Sequence, residues 1–425
     1  MTHHVILGAG PAGVIAAETI RKHAPRDAIT LVGNEAEPPY SRMAIPYLLM
    51  SNIDEAGTYL RKSPSHFLDL EIEVLQAQAE RLDVASKTIV LNDRRSLSFD
   101  RLLIATGSQP ARPPIPGMDS EGVYPCWTLQ DARNIMALAK PGARVLQMGA
   151  GFIGCIIMEA LAARGVRLSV VEMGDRMVPR MMGPTAGGMI KDWCQSKGVT
   201  VFTGTRVDAI EPGSPLQVRL SDGQTVEADL IISATGVRPA IGFLEGSGIS
   251  CLQGVLTDEH LQTSVPGVYA AGDCAEAFDK VSGTTIVSAI QPNAADQARV
   301  AALNMAGLRT SLKGVTQINV LDTLGMISTS FGNWEGVAGG EHAELTDKSA
   351  GRHLSLQFED DVLIGCNSVG WTEHVGVMRG LVEGQLKLGR WKSELMKDPS
   401  QLMKAYLSVA QAQGAWNGAA DNRRR

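Results

Sequence analysis

Aromatic residues are scarce, at 5% of 425 positions, and no apolar run reaches the ~18 residues that a membrane span needs. A membrane partner is therefore not expected. The six cysteines (Cys126, Cys155, Cys194, Cys251, Cys274 and Cys366) stand far apart. None shows C-x-x-C or C-x-x-x-x-C spacing, which argues against a sequence-local redox disulfide or a zinc knuckle. They read as thiols of a reducing cytoplasm. The eight histidines contain no H-x-x-x-H pair, so no metal site is expected. A net charge of −6 gives no reason to expect nucleic acid. The first strand begins after only four residues, which leaves no room for a signal peptide and points to a cytoplasmic setting.

Glycine, by contrast, is plentiful, with 45 residues. Val5-Ile6-Leu7 runs straight into Gly8-Ala9-Gly10-Pro11-Ala12-Gly13, and a helical run over 11–23 follows. Strand, Gly-x-Gly-x-x-Gly and helix in that order form a dinucleotide cradle. Gly8 allows the tight turn, Gly10 lets backbone N–H groups approach a diphosphate, and Gly13 lets the helix pack on its strand. Ile29-Thr30-Leu31-Val32 is the next strand. Glu35, just beyond it, stands where such a unit places its ribose-binding acid.

The pattern recurs. Arg144-Val145-Leu146-Gln147-Met148 leads into Gly149-Ala150-Gly151-Phe152-Ile153-Gly154, then a helix to Arg164 and a strand ending on Glu172. The acid falls about 20 residues beyond the glycines, as the fingerprint requires. Each opening is answered later by a strand closing on the same tripeptide, Ala105-Thr106-Gly107 and Ala234-Thr235-Gly236. A further short strand ends on Gly272-Asp273, and a helix is predicted over 293–307.

Between these landmarks, residues 72–99 alternate as a small antiparallel excursion. Pro110, Pro113, Pro114 and Pro116 make a stiff linker and a domain boundary. The length exceeds what one core usually organises, so two or three domains are expected. From about 311 the texture changes to short alternating segments and a helical piece near 393–412. The polar stretch from Asn417 to Arg425 reads as disordered.

As an ordered set, these motifs resemble the FAD/NAD-linked pyridine nucleotide oxidoreductases over roughly residues 3–308. The resemblance implies an α/β fold: two Rossmann-like FAD- and NAD-binding domains with a small α+β C-terminal domain. The implied bounds are 1–110 and 235–310 for FAD, 111–234 for NAD, and 311–425 for a C-terminal interface domain. It further implies that Gly8, Gly10, Pro11, Ala12 and Gly13 seat the FAD diphosphate and that Glu35 takes the adenosine ribose. Ala105, Thr106 and Gly107 line that site, and Gly272 and Asp273 meet the ribityl–diphosphate portion. Gln291, Pro292 and Ala294 would run past the flavin's pyrimidine edge. Gly149, Gly151, Phe152, Ile153 and Gly154 would hold the NAD diphosphate, with Thr235 and Gly236 beside it. Glu172 accepts hydrogen bonds from a free 2′-OH and repels a 2′-phosphate, favouring NADH, although Arg176 stands nearby. Where many relatives carry a glutamate near the nicotinamide this chain has Ile156, and the role of Glu159, one turn on, is open.

The segment Pro38-Pro39-Tyr40-Ser41-Arg42-Met43-Ala44-Ile45-Pro46-Tyr47 separates the branches. Disulfide reductases of the family carry C-x-x-x-x-C after the first unit, and the single-cysteine branch would have its cysteine where Met43 stands. A thioether forms no thiolate or mixed disulfide. The segment instead resembles that of the NADH:rubredoxin and ferredoxin reductases and of the flavin portion of assimilatory nitrite reductases. Tyr47 replaces the flavin-proximal lysine of that branch. Arg42 and Tyr47 are the expected lining of the flavin approach. The implied activity is electron transfer from NADH through FAD to a one-electron protein acceptor, an iron–sulfur or other metal-cluster protein. An NADH oxidase and a nucleotide-sensing flavoprotein without turnover stay open beside it, as does the choice between monomer and homodimer.

Overall fold

The computed structural model describes the backbone of residues 1–417 and side chains as far as Val409. Its chain forms two compact units. The first comprises residues 1–111, 127–134 and 236–315, and the second residues 112–126, 135–235 and 316–425.

The first unit is built on a five-stranded parallel sheet. Its order is Val268–Ala270, Arg101–Ile104, His3–Leu7, Ala28–Gly33 and Ile72–Gln76. Parallel strands are covered on both faces, which is why Val5-Ile6-Leu7 is apolar without alternation. The pleat still divides them. Ile6 and Leu103 pack with the helices Pro11–His23 and Gln291–Met305. Val5, Leu7, Leu102 and Ile104 face Leu82, Ile89 and Leu91 on the other side. Those three residues belong to a small antiparallel sheet, Ala79–Asp83, Thr88–Leu91 and Ser96–Ser98. The expected antiparallel excursion over 72–99 is thus only partly so, because Ile72–Gln76 joins the parallel sheet beside Ala28–Gly33. The second helix starts two residues earlier than expected, since Pro292 suits the first helical turn, where no N–H partner is needed.

The second unit repeats the plan. Its parallel sheet runs Thr200–Thr203, Arg167–Glu172, Arg144–Met148, Leu230–Ser233 and Val123–Pro125. One covering layer is antiparallel, Val207–Glu211, Leu216–Leu220 and Thr225–Ala228, with Val218 and Leu220 buried against Leu146 and Ile231. The helices Phe152–Ala163 and Pro184–Ser196 belong to the same unit. So does a five-stranded antiparallel sheet in the order Ile318–Thr323, Met326–Gly332, Val362–Val369, Arg352–Glu359, Glu341–Asp347. Asn367 ties that sheet to the loop before Pro184. Its Oδ1 accepts from Gly183 N–H at 2.9 Å and its Nδ2 donates to the Met181 carbonyl at 2.8 Å.

The helical piece expected over 393–412 is two helices, Arg390–Lys397 and Leu402–Asn417. Pro399 breaks it, and the Asp398 carboxylate accepts from Ser400 N–H at 3.0 Å and from the Gln401 amide at 2.6 Å, closing the turn. The stretch read as disordered lies outside the described residues, save Asn417. Among the described residues no helix is long and apolar enough to cross a membrane, and no group of three His, Cys, Asp or Glu side chains could hold a metal ion.

Candidate functional site

Each glycine motif makes a cradle, and the two are built alike. Gly8 N–H donates to Val32 O at 2.7 Å, and Gly149 N–H to Val171 O at 2.8 Å. Both residues have positive φ, 114° and 96°. A Cβ at Gly8 would overlap the carbonyl of Ala105, and one at Gly149 that of Ala234. The two Ala-Thr-Gly tripeptides thus sit alike: the backbone carbonyl of each alanine closes against the first glycine of its motif. The third glycines, Gly13 and Gly154, press on the carbonyls of Gly8 and Gly149.

The middle glycines are different. A Cβ at Gly10 or Gly151 would meet no protein atom within 4 Å. Each is the N-cap of its helix, and neither helix end is closed by a side-chain hydrogen bond. Open space over the first-turn N–H groups of a helix, where the dipole favours negative charge, suits a diphosphate. Pro11 occupies the first turn, where its missing N–H costs no helical hydrogen bond. Phe152 and Ile153 open the matching helix in the second unit.

In the first unit the cradle continues around Gly272. Ala12 and Ala294 approach it from two helices, at 3.4 and 3.6 Å from where its Cβ would lie. Gly272 N–H donates to Gln297 Oε1 at 2.7 Å, while the buried Nε2 of Gln297 has no hydrogen-bond partner. Next to it, Asp273 accepts from Ser108 Oγ at 2.9 Å, and burial raises the affinity of this carboxylate for a proton. Gln291 Oε1 accepts from Ser41 Oγ at 2.9 Å, and Pro292 stands beside it in the first turn of the helix. Thr106 Oγ1 donates to Ala240 O at 2.8 Å, and Gly107 O accepts from Ala240 N–H at 2.9 Å.

Glu35 and Arg42 come together. Arg42 Nη2 lies 2.6 Å from Glu35 Oε1, and the Tyr40 hydroxyl donates to Glu35 Oε2 at 2.5 Å. Burial holds the Tyr40 phenol firmly protonated, so it can only donate there. Arg42 also donates to the Trp127 carbonyl at 2.6 Å and to the Tyr40 hydroxyl at 2.8 Å. Its guanidinium is therefore committed to neighbours. Within residues 42–47, Tyr47 and Met43 are the open side chains, 54% and 51% exposed. All six cysteines are thiols; Cys155, Cys194, Cys274 and Cys366 are buried, and burial raises each of these four above the ordinary thiol range.

In the second unit Glu172 accepts from Ala150 N–H and from Gly174 N–H, both at 2.7 Å, which fixes its carboxylate beside the cradle. Arg176 is turned to its own loop, donating to Met182 O at 2.8 Å and pairing with Asp175 at 2.7 Å. Thr235 Oγ1 lies 3.4 Å from Ser233 Oγ, and Gly236 takes a φ of 109°. Ile156 is half-buried. Glu159 is held protonated more readily than usual by burial, with Asp322 adding to it.

Ser108, Trp127 and Gln297 also touch the residues of this candidate site, without any mark in the sequence, and Tyr40 lies in the quoted 38–47 segment. Trp127 bonds to partners 85 and 19 positions away, and Ser108 to one 165 away, so no local pattern marks them.

The family model of pyridine nucleotide-disulphide oxidoreductases matches residues 2–301. Over 96% of its length the chain is 31% identical to the NADH-dependent phenylglyoxylate dehydrogenase subunit epsilon of Aromatoleum evansii, of which it covers 97%. It is 28% identical to the rubredoxin-NAD(+) reductase of Pseudomonas putida, over 72% of this chain and 80% of that one. Among solved structures, the reductase in a covalent putidaredoxin reductase–putidaredoxin complex superposes with a TM-score of 0.88 at 23% identity, covering 96% and 99% of the two chains, a likeness of fold.

Proposed function

The chain belongs to the pyridine nucleotide-disulphide oxidoreductase family, and from that premise we propose that it is a thiol-independent NADH oxidoreductase exchanging electrons with a protein partner. FAD would lie in the cradle of Gly8, Gly10 and Gly13, between Glu35 and Asp273. NADH would lie over Gly149, Gly151 and Gly154, its ribose on Glu172. The open helix ends and the empty volume at both middle glycines fit these two diphosphates. When bound, FAD supplies two-electron chemistry toward NADH and one-electron chemistry toward a metal centre. This chain's residues supply the rest. The helix ends neutralise phosphate charge, Glu172 selects a free 2′-OH, and Asp273 accepts a hydroxyl hydrogen bond from the ribityl end.

One observation carries the choice of branch: residues 42–47 present a half-exposed thioether and a half-exposed phenol, Met43 and Tyr47, where thiol-using members need a cysteine. A protein partner is supported by two relatives whose names state one, a rubredoxin reductase and a subunit of a larger dehydrogenase. An iron–sulfur protein is the partner class we favour. The oxidase reading has its own support in a relative named NADH oxidase from Methanocaldococcus jannaschii, 29% identical. Anaerobic reduction by NADH, then stopped-flow mixing with ferredoxin, rubredoxin or oxygen, decides between them. Fast reduction of an iron–sulfur protein and slow reaction with oxygen are expected; the reverse pattern overturns the proposal. NADH that fails to bleach the bound flavin would instead support a nucleotide sensor.

A further inference from the structure

Five residues of the first unit form one connected path. Glu35 pairs with Arg42 at 2.6 Å. Arg42 donates to the Trp127 carbonyl at 2.6 Å, and its guanidinium carbon lies 5.3 Å from the centre of the Trp127 ring and 5.5 Å from that of Tyr40. The Trp127 indole N–H donates to the Ser108 carbonyl at 3.1 Å, and Ser108 Oγ donates to Asp273 at 2.9 Å. We propose that Trp127 is a positioning residue of the FAD cradle, holding Arg42 and Ser108 so that Glu35 and Asp273 keep a fixed separation; this rests on the FAD reading above.

Trp127 is itself held. Its N–H and that of Thr128 donate to Asp131 at 3.1 and 2.8 Å, and Asp131 N–H donates back to Thr128 Oγ1 at 3.1 Å. That reciprocal cap anchors the start of the helix Leu129–Leu138 and with it the tryptophan backbone. Two residues on, Leu129 N–H donates to the Tyr40 hydroxyl at 3.3 Å, so the same short stretch supports both partners of Glu35. A planar guanidinium offers donors at its edge and a face to aromatic rings, and Arg42 uses both at once. Trp127 serves the edge through its carbonyl and the face through its ring. Its indole N–H reaches the backbone of the residue that fixes Asp273. The tryptophan therefore acts on the cofactor through other residues, setting the distance between an adenosine-end and a ribityl-end carboxylate.

The test titrates FAD into apoprotein of the wild type, Trp127→Phe, Trp127→Ala, Arg42→Ala and the double variant Trp127→Ala/Arg42→Ala. Trp127→Ala should weaken FAD binding about tenfold, as loss of a ring–cation contact and a hydrogen bond implies. Trp127→Phe should recover most of that. The double variant should bind more weakly than Arg42→Ala alone by less than the loss in Trp127→Ala, because the tryptophan works partly through the arginine and partly through Ser108. Folded Trp127→Ala with wild-type affinity, or losses that simply add, would overturn the inference. Should Trp127→Ala not fold, Trp127→Phe decides by the midpoint potential of its flavin: a shift supports the role, and unchanged potential and affinity overturn it. A wild-type chain that takes up no FAD overturns the proposed function and this inference together, which is a different failure from FAD that binds and ignores Trp127.

Discussion

Gly8 and Ala105 stand back to back, with the Ala105 carbonyl filling the space into which a Cβ on Gly8 would project. Gly8→Ala must displace that carbonyl and also hold an alanine at a φ of 114°. A loss of about 2–4 kcal/mol is expected from overpacking and backbone strain together. Gly10→Ala is the contrast, since its Cβ meets no protein atom. It should leave the thermal midpoint of the apoprotein unchanged and lower only the flavin content after purification. Equal losses of stability in the two variants would count against this division between a structural and a ligand-facing glycine.

Glu172 should set the preference between NADH and NADPH. Its carboxylate is locked by two backbone N–H groups, and Arg176 is engaged with Met182 and Asp175. Glu172→Ala is expected to raise KM for NADH about tenfold, through loss of a charge-assisted hydrogen bond. It should bring little gain with NADPH, because Arg176 remains in its loop. A strong gain with NADPH would mean that the arginine swings free.

Thiol alkylation should leave activity intact. The four buried cysteines are shielded and their thiols are held protonated by burial. Met43→Cys places a half-exposed thiol in the approach segment, and that variant should become sensitive to iodoacetamide after reduction by NADH. Inhibition of the unmodified protein at the same rate would show a reactive cysteine where none is expected.

Asn367→Ala removes both bonds to the loop before Pro184, leaving Gly183 N–H and the Met181 carbonyl without them. A loss of about 1–3 kcal/mol is expected for unsatisfied buried groups. Urea unfolding followed by tryptophan fluorescence measures it. An unchanged midpoint would mean that solvent takes over both bonds.

His353 gives a pH dependence. It is buried, its Nδ1 lies 2.8 Å from Thr346 Oγ1, and burial lowers its proton affinity below the ordinary 6.5, with Glu344 opposing. Below 6.5 the unfolded chain therefore binds more protons than the folded one, so stability falls as the pH drops through this window. His353→Gln should flatten that part of the curve of thermal midpoint against pH. A slope left untouched assigns the effect elsewhere.

The elements legible in the sequence are those whose cause is local. Apolar runs ahead of a glycine turn, as at Val5 and Val145, announce buried strands and the helices after them. Glu35 and Glu172 could be placed by spacing alone. Their surroundings could not: that Glu35 is already held by Arg42 and Tyr40 depends on a segment folding back, and the share of Trp127 in it depends on a stretch far along the chain. Ile72–Gln76 was misplaced because a short strand with mixed exposure looks alike in a parallel edge and in a hairpin. The break at Pro399 was overlooked because apolar residues continue on either side of it.

The division of the chain also orders events in time. The sheet of the first unit needs Val268–Ala270 beside Arg101–Ile104, and its covering helix ends only at Met305. All five strands of the second unit's parallel sheet are made in between. At about 5–20 residues per second, a ribosome leaves the first four strands waiting on the order of ten seconds for their fifth. During that interval the Arg101–Ile104 edge has no strand beside it, so a nascent chain stalled before residue 268 is expected to present that edge to chaperones, proteases and aggregation.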